Sequence, residues 1–518
     1  MKKRPRQEVK QEAKQEIRRK YTHASNVAFV IDSIRQFDKP LLILAVISAV
    51  FSAIGQFVPV FMPKSIIDQL TEGGTPGNII MLVVVFSVIM LISECINKVA
   101  SNLLSSRFIT VRLRMIARSG KKFMTTDFQN LENPAVLDLS RKGDRACDSN
   151  QDGIEGVMHR LLWLFSRVIV LIASSAIITM IHPVLLLIIA TLLAFNFIIT
   201  TRTKKLDKQA NDALTKTQRK LQYMTNTMSD FSYGKDVRLF SMKNFLMPRY
   251  KDEQQHIFNG RMKIQQIWLR SKNVFAFTSL LQETVMYAWL CWQVLNGSIS
   301  IGDFTMYIAA ILKFSQAMRG ILDDIAHIRQ QHEVICDFRS FLDYPDLPSG
   351  MQKPPTYTND NYCFEFENVS FRYPGREEYA LQNVSLRIKA GERLAVVGLN
   401  GAGKSTFVKL LIRLYEPDEG KILLNGVDVR SYNKQEYWRL FSVVFQEIQL
   451  FAFTTAENVS MKEYAKTDMA QVASCVEKAG LGPKILTLPK GIDTAIFKVL
   501  DKDGIEFSGG ESQKLALA

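Results

Sequence analysis

From residue 40 onward the chain alternates long apolar runs with charged connectors, and past Leu322 the runs stop. Six stretches are apolar throughout and, at about 1.5 Å per residue, long enough to cross hydrocarbon. They are residues 40–62, 78–96, 161–181, 184–200, 273–295 and 304–322. The connectors after the first, third and fifth (63–77, 182–183 and 296–303) are short and carry little or no positive charge. Those after the second and fourth are long and basic. One holds Arg112, Arg114, Arg118, Lys121 and Lys122; the other holds Lys204, Lys205, Lys208, Arg219 and Lys220. Lysine and arginine collect on the cytoplasmic side of membrane proteins, so this asymmetry puts both termini and both long loops in the cytoplasm.

The long connectors, 97–158 and 201–272, keep a helical period with few breakers, which predicts pairs of membrane helices extended beyond the bilayer. Each breaks near its middle, at 127–134 and 229–235, as the tip of a helical hairpin would. Ahead of the spans, residues 1–26 form a charged leader, and 27–38 is an amphipathic stretch expected to lie along the membrane surface. Two charges fall inside spans. Glu283 lies about 15 Å along the fifth and Lys313 about 14 Å along the antiparallel sixth, so both reach mid-membrane depth. A charge there faces a partner or a cavity. The expectation is that Glu283 and Lys313 pair with each other or line a polar substrate cavity, with Gln282 and Gln316 nearby. Glu94 and Arg167, nearer the inner interface, are expected to snorkel without a role. Trp289 and Trp292 mark the outer interface.

The pattern then changes period. Residues 27–342 read as the membrane domain, the proline-bearing 343–360 as a linker, and 361–518 as a second domain. Stretches 362–373 and 381–388 alternate as half-buried strands do, around a Tyr373-Pro374-Gly375 turn. Further strands are expected at 393–397, 421–424 and 441–445, and helices at 407–415 and 469–480. Between the expected strand at 393–397 and the helix after it runs Gly398-Leu399-Asn400-Gly401-Ala402-Gly403-Lys404-Ser405-Thr406. Glycines there let backbone N–H groups converge on phosphate oxygens, a helix start adds partial positive charge, Lys404 reaches the outer phosphates, and the Ser405 hydroxyl suits Mg²⁺. The stretch predicts a nucleoside triphosphate site. About a hundred residues on, Phe507-Ser508-Gly509-Gly510-Glu511 opens a second helix-like run, and with it a second anion-binding arrangement.

Charge and composition adjust this picture in two places. A net charge of +15 over 518 residues would suggest nucleic acid in a soluble protein. Here the basic membrane loops account for it, and no nucleic-acid partner is expected. The six cysteines are scattered without a C-x-x-C pair, which disfavours both disulfides and zinc.

These residues resemble an ABC transporter of the exporter type, a half-transporter with six spans and one nucleotide-binding domain. The resemblance runs from about Val27 to the end. The fold it implies is an α-helical membrane domain with long cytoplasmic extensions, followed by a mixed α/β P-loop NTPase domain. Tyr373 stands where the family stacks adenine, and 398–406 resembles the Walker A loop. Gln446 resembles the Q-loop glutamine, which touches Mg²⁺, and Ser508, Gly509, Gly510 and Glu511 resemble the signature motif. In that family two such domains stack head to tail, with ATP between the Walker A loop of one and the signature motif of the other. The resemblance therefore implies ATP and Mg²⁺ as cofactors, a second half-transporter as partner, and tips near Asn130 and Ser232 that couple the domains. It also implies ATP-driven export of an unidentified substrate across the cytoplasmic membrane. Glu511 replaces the commoner glutamine. The Walker B aspartate, catalytic glutamate and switch histidine would fall after Ala518, so the 518 residues read as a piece that should not itself hydrolyse ATP. The readings left beside export are a non-hydrolysing partner or sensor of a heterodimer, and a non-functional fragment.

Overall fold

A computed structural model describes residues 21–180, 183–355 and 362–518, with backbone alone at 183–188, Leu193 and Lys208. The leader up to residue 20, the turn at 181–182 and the linker end at 356–361 lie outside the described residues. The chain divides into two compact units. One runs to Thr126 and from Asn130 to Pro345; the other comprises Asp127–Gln129 and Asp346–Ala518.

The first unit is helical. Among the described residues, four of its helices are long and apolar enough to cross a membrane: Pro40–Thr71, Pro76–Thr125, Gly153–Thr179 and Lys243–Leu295. The other two apolar stretches sit in Pro183–Ser229 and Ile301–Gln330. The second of these carries Asp303, Lys313 and Arg319, whose polarity lowers its mean hydropathy. The 50-residue Pro76–Thr125 helix spans about 75 Å at its rise per residue, more than twice the hydrocarbon thickness. Its basic half therefore extends beyond the apolar zone, as the period suggested. Its apolar half shows Ile80, Met81, Val84 and Leu91 to the outside, the arrangement expected where lipid is the solvent. Within the unit, one apolar cluster joins the outer halves of the spans around Val60, Ile178, Met286, Leu290 and Ile311. A second, around Leu104, Phe108, Met115, Ile154 and Phe338, fills the inner extensions.

The amphipathic stretch is a helix, His23–Phe37, and part of its apolar face packs against the rest of the unit. Val30 and Ile34 are buried in the inner cluster. Tyr21 donates to Asp343 at 2.5 Å, and Arg339 reaches both Ser25 and Asn26. Protein covers that part of the face.

Among the described residues, four strands order the second unit. β1 (Cys363–Phe371) pairs antiparallel with β2 (Leu381–Lys389) on one side and β3 (Glu419–Leu424) on the other, and β3 pairs with β4 (Val427–Asp428). Phe366, Val369, Phe371, Phe407, Leu410 and Ile422 close the core between this sheet and the Lys404–Leu411 helix. That helix stops earlier than expected, where Arg413 turns to φ +54°. Its guanidinium is buried and donates to the carbonyls of Val429 and Tyr432 at 2.9 and 2.8 Å. The segment before β1 also belongs to this unit, although its prolines read as linker. Asn433 donates to the Gln352 carbonyl at 2.7 Å. Gly350 passes so close to Ser431 that a Cβ would stand 1.9 Å from its carbonyl oxygen.

Two expected strands are absent. Residues 393–397 and 441–445 are irregular, and Val397, Val444 and Phe445 are exposed. An apolar run becomes a buried strand only with ladder partners at its edges, and among the described residues no strand pairs with either.

Candidate functional site

Strand β1 ends at Phe371, and the turn beyond it sets Tyr373 edge-on to Phe371 and Tyr415. The tyrosine hydroxyl is 2.9 Å from Thr406 Oγ1 on the Lys404–Leu411 helix. Phe407 and Leu410 anchor that helix in the core, so its first turn is held under the tyrosine. The preceding loop needs its glycines. Gly401 and Gly403 take φ of +85° and +87°. At Gly403 a Cβ would also stand 2.6 Å from the Ala380 carbonyl. Lys404 Nζ donates to the carbonyls of Gly398 and Leu399, both at 2.8 Å, so the ammonium lies across the mouth of its own loop. Phosphate oxygens form stronger, charge-assisted bonds than such carbonyls do.

A cavity of about 460 Å³ brings together Tyr373, Asn400, Gly401, Gly403, Lys404, Ser405, Thr406 and Gln446. Gly398 and Ala402 belong to the same loop without lining it. The cavity adds Arg376, Glu378 and Tyr379, which the sequence did not single out. They follow the Tyr373 turn directly, and that position was the only signal for them. The loop, the lysine and the helix start fit a phosphate chain, and the Ser405 hydroxyl and Gln446 amide supply oxygen donors suited to Mg²⁺.

Ser508, Gly509 and Gly510 do not line this cavity. Ser508 caps the Gly509–Leu517 helix in a reciprocal box with Glu511. Glu511 Oε2 accepts from the Ser508 N–H at 2.8 Å, and Oε1 pairs with Lys484 Nζ at 3.2 Å. Bonds from the Ser508 backbone and side chain, with Lys484 beside them, hold the carboxyl below the usual carboxylate range. A Cβ on Gly509 or Gly510 would meet nothing within 4 Å. Packing inside this chain therefore does not require glycine there.

Of the two arrangements expected for the membrane charges, the direct pair is not formed. Glu283 and Lys313 form no ion pair with each other among the described residues. Gln282 donates to Ser315 Oγ at 2.8 Å and is buried, while Gln316 is exposed. Arg167, expected to be idle, is held against fully buried Asp324, which Arg160 also approaches at 3.1 Å.

The match to known proteins follows the same division. The family described as ABC transporter matches residues 381–518. Residues 381–518 thus form an ABC transporter domain. It is 32% identical over 287 residues to the yeast (Saccharomyces cerevisiae) protein named "Iron-sulfur clusters transporter ATM1, mitochondrial". That match takes in 54% of this chain and 40% of the relative. The "Subtilin transport ATP-binding protein SpaT" of Bacillus subtilis is 24% identical over 93% of this chain and 78% of its own length. The "ATP-dependent lipid A-core flippase" of Haemophilus influenzae is 24% identical over 92% and 80%. Among solved structures, a bacterial Atm1-family ABC exporter with ATP bound superposes with TM-score 0.73 at 19% identity, covering 93% of this chain and 83% of that one. The chain thus has the fold of that exporter, a helical domain with candidate membrane spans followed by a sheet-and-helix domain of the ABC transporter family.

Proposed function

We propose that the protein is one half of a dimeric exporter of the cytoplasmic membrane, driven by ATP held between two nucleotide-binding domains. The observation that carries this reading is the separation of two phosphate-type elements within one unit. Lys404, Ser405 and Gln446 share a cavity with Tyr373, while Ser508 and two sterically unconstrained glycines start a different helix. A second half-transporter, whether another copy or a related chain, would bring its own Ser508 to the nucleotide. Mg²⁺ would sit between Ser405, Gln446 and the phosphates. Each relative named above carries a transport function in its name, and the cargos differ, so the substrate stays open. The ATP-bound closed state, favoured over the open one, supplies the bias that reorients the membrane helices.

The test is photolabelling with 8-azido-ATP in membranes. Labelling that is Mg²⁺-dependent and lost in Lys404→Ala supports the reading. Equal labelling of both proteins overturns it.

A further inference from the structure

Three helices of the membrane unit enclose a cavity of about 350 Å³ that the transport reading does not use. Lys204 comes from Pro183–Ser229, Trp268, Lys272 and Phe275 from Lys243–Leu295, and Arg319 and Asp323 from Ile301–Gln330. All six lie within about two turns of the inner ends of the apolar stretches ending at residues 200 and 322 and beginning at residue 273. The cavity therefore lies at one depth, where hydrocarbon gives way to headgroups. Three cations face one carboxylate across it. Among the described residues none of the four is drawn into an ion pair.

Arg319 is fixed in place. Its Nε donates to the Ser315 carbonyl at 3.2 Å, and its guanidinium lies over the Phe275 ring, 4.6 Å from the centroid. That leaves the outer nitrogens of a planar fork, the geometry that grips a phosphate through two bonds at once. Glu283 and Asp323 act on Arg319 electrostatically without closing on it, so the surplus positive charge persists. Trp268 adds an amphipathic ring suited to the interface. A charge half-buried at this depth is costly unless something neutralises it, and one wall carboxylate does not balance three cations.

We propose that this cavity binds the phosphate of an anionic phosphate ester, its apolar part directed into the bilayer. The volume admits one headgroup and not a whole lipid. The chemistry could arrive on an anionic phospholipid or on a small soluble ester, and the experiment separates these.

The experiment is native mass spectrometry of the detergent-purified chain, incubated in turn with phosphatidylglycerol, phosphatidylcholine and sn-glycerol 3-phosphate. Wild type should retain one phosphatidylglycerol about tenfold more than phosphatidylcholine, the size of a bond to a charged group. Arg319→Gln should lose that preference. Arg319→Lys should keep part of it, and Arg202→Gln, an exposed change outside the cavity, should keep all of it. Preferential retention of the lipid assigns the bilayer as source; retention of glycerol phosphate alone assigns the aqueous phase. Equal retention of the two lipids with no glycerol phosphate bound, or an unchanged preference in Arg319→Gln, overturns the proposal. Helical circular dichroism of Arg319→Gln matching wild type keeps the loss from being a folding defect. None of these readouts requires transport, so failure here leaves the exporter reading standing.

Discussion

Lys484 Nζ lies 3.2 Å from Glu511 Oε1, across a junction where Ile485 and Leu515 pack in one apolar cluster. The packing sets the short Gly482–Leu486 helix beside the start of Gly509–Leu517, so the lysine meets a carboxylate that stands where the family commonly has an amide. The pair is partly exposed, so its effect on the fold is small. Its importance lies in cancelling a negative charge next to the turn proposed to meet the partner's nucleotide. Lys484→Met should weaken nucleotide-dependent dimerisation by about twofold to fivefold, and Glu511→Gln should not. The double variant should return to wild type, as sedimentation with a nonhydrolysable ATP analogue would read.

The two left-handed glycines of the nucleotide loop separate strain from clash. Gly401→Ala meets open space and pays only for its φ, about 1 kcal/mol. Gly403→Ala adds a collision with the Ala380 carbonyl and should lose about 2–3 kcal/mol. Thermal unfolding ranks the two, and ATP affinity should fall further in Gly403→Ala.

Asp324 is fully buried between Arg160 and Arg167. Asp324→Asn leaves two guanidinium groups without their counter-charge, at a cost of about 3–5 kcal/mol. The detergent-purified protein should melt markedly lower. Arg160→Gln should cost less, because Arg167 still pairs.

Asp428 offers an acid-side test. Burial raises its carboxyl, but the side-chain and backbone bonds from Arg430 outweigh this and hold it below the usual aspartate range. The folded state therefore binds its proton less readily than the unfolded chain. The stabilisation is complete above the ordinary aspartate value near 3.8 and is lost as pH falls through the folded one. Asp428→Asn should cost about 1 kcal/mol at neutral pH, and its difference from wild type should shrink as pH falls below the ordinary aspartate value.

Much of the site was legible because its signals are local. Glycines 401 and 403, Lys404 and the helix after them lie within a few residues, and each demands a particular backbone. Tyr373 and Gln446 were found by resemblance and fall in the same cavity. The strands at 393–397 and 441–445 were misread because apolar content does not reveal whether a ladder partner is at hand. Asp324 and Arg167 are 157 residues apart, and Lys484 and Glu511 come from separate helices. Such pairs arise from helix packing, and no periodicity announces them. Glu283 and Lys313 do not pair, because rise per residue sets how far along a helix a charge lies and not which side of it faces a neighbour.

The central claim is that one nucleotide is shared by two chains, and complementation tests it most directly. Lys404→Ala and Ser508→Arg each spoil both shared sites of a dimer. Mixed together, they form a dimer in which the intact loop of one faces the intact Ser508 of the other. Trapped nucleotide should therefore be near zero for each variant alone and recover to about a quarter of wild type in an equal mixture, since half the dimers are mixed and each regains one of two sites. A mixture that stays at the level of its components, while wild type traps nucleotide, would contradict the account.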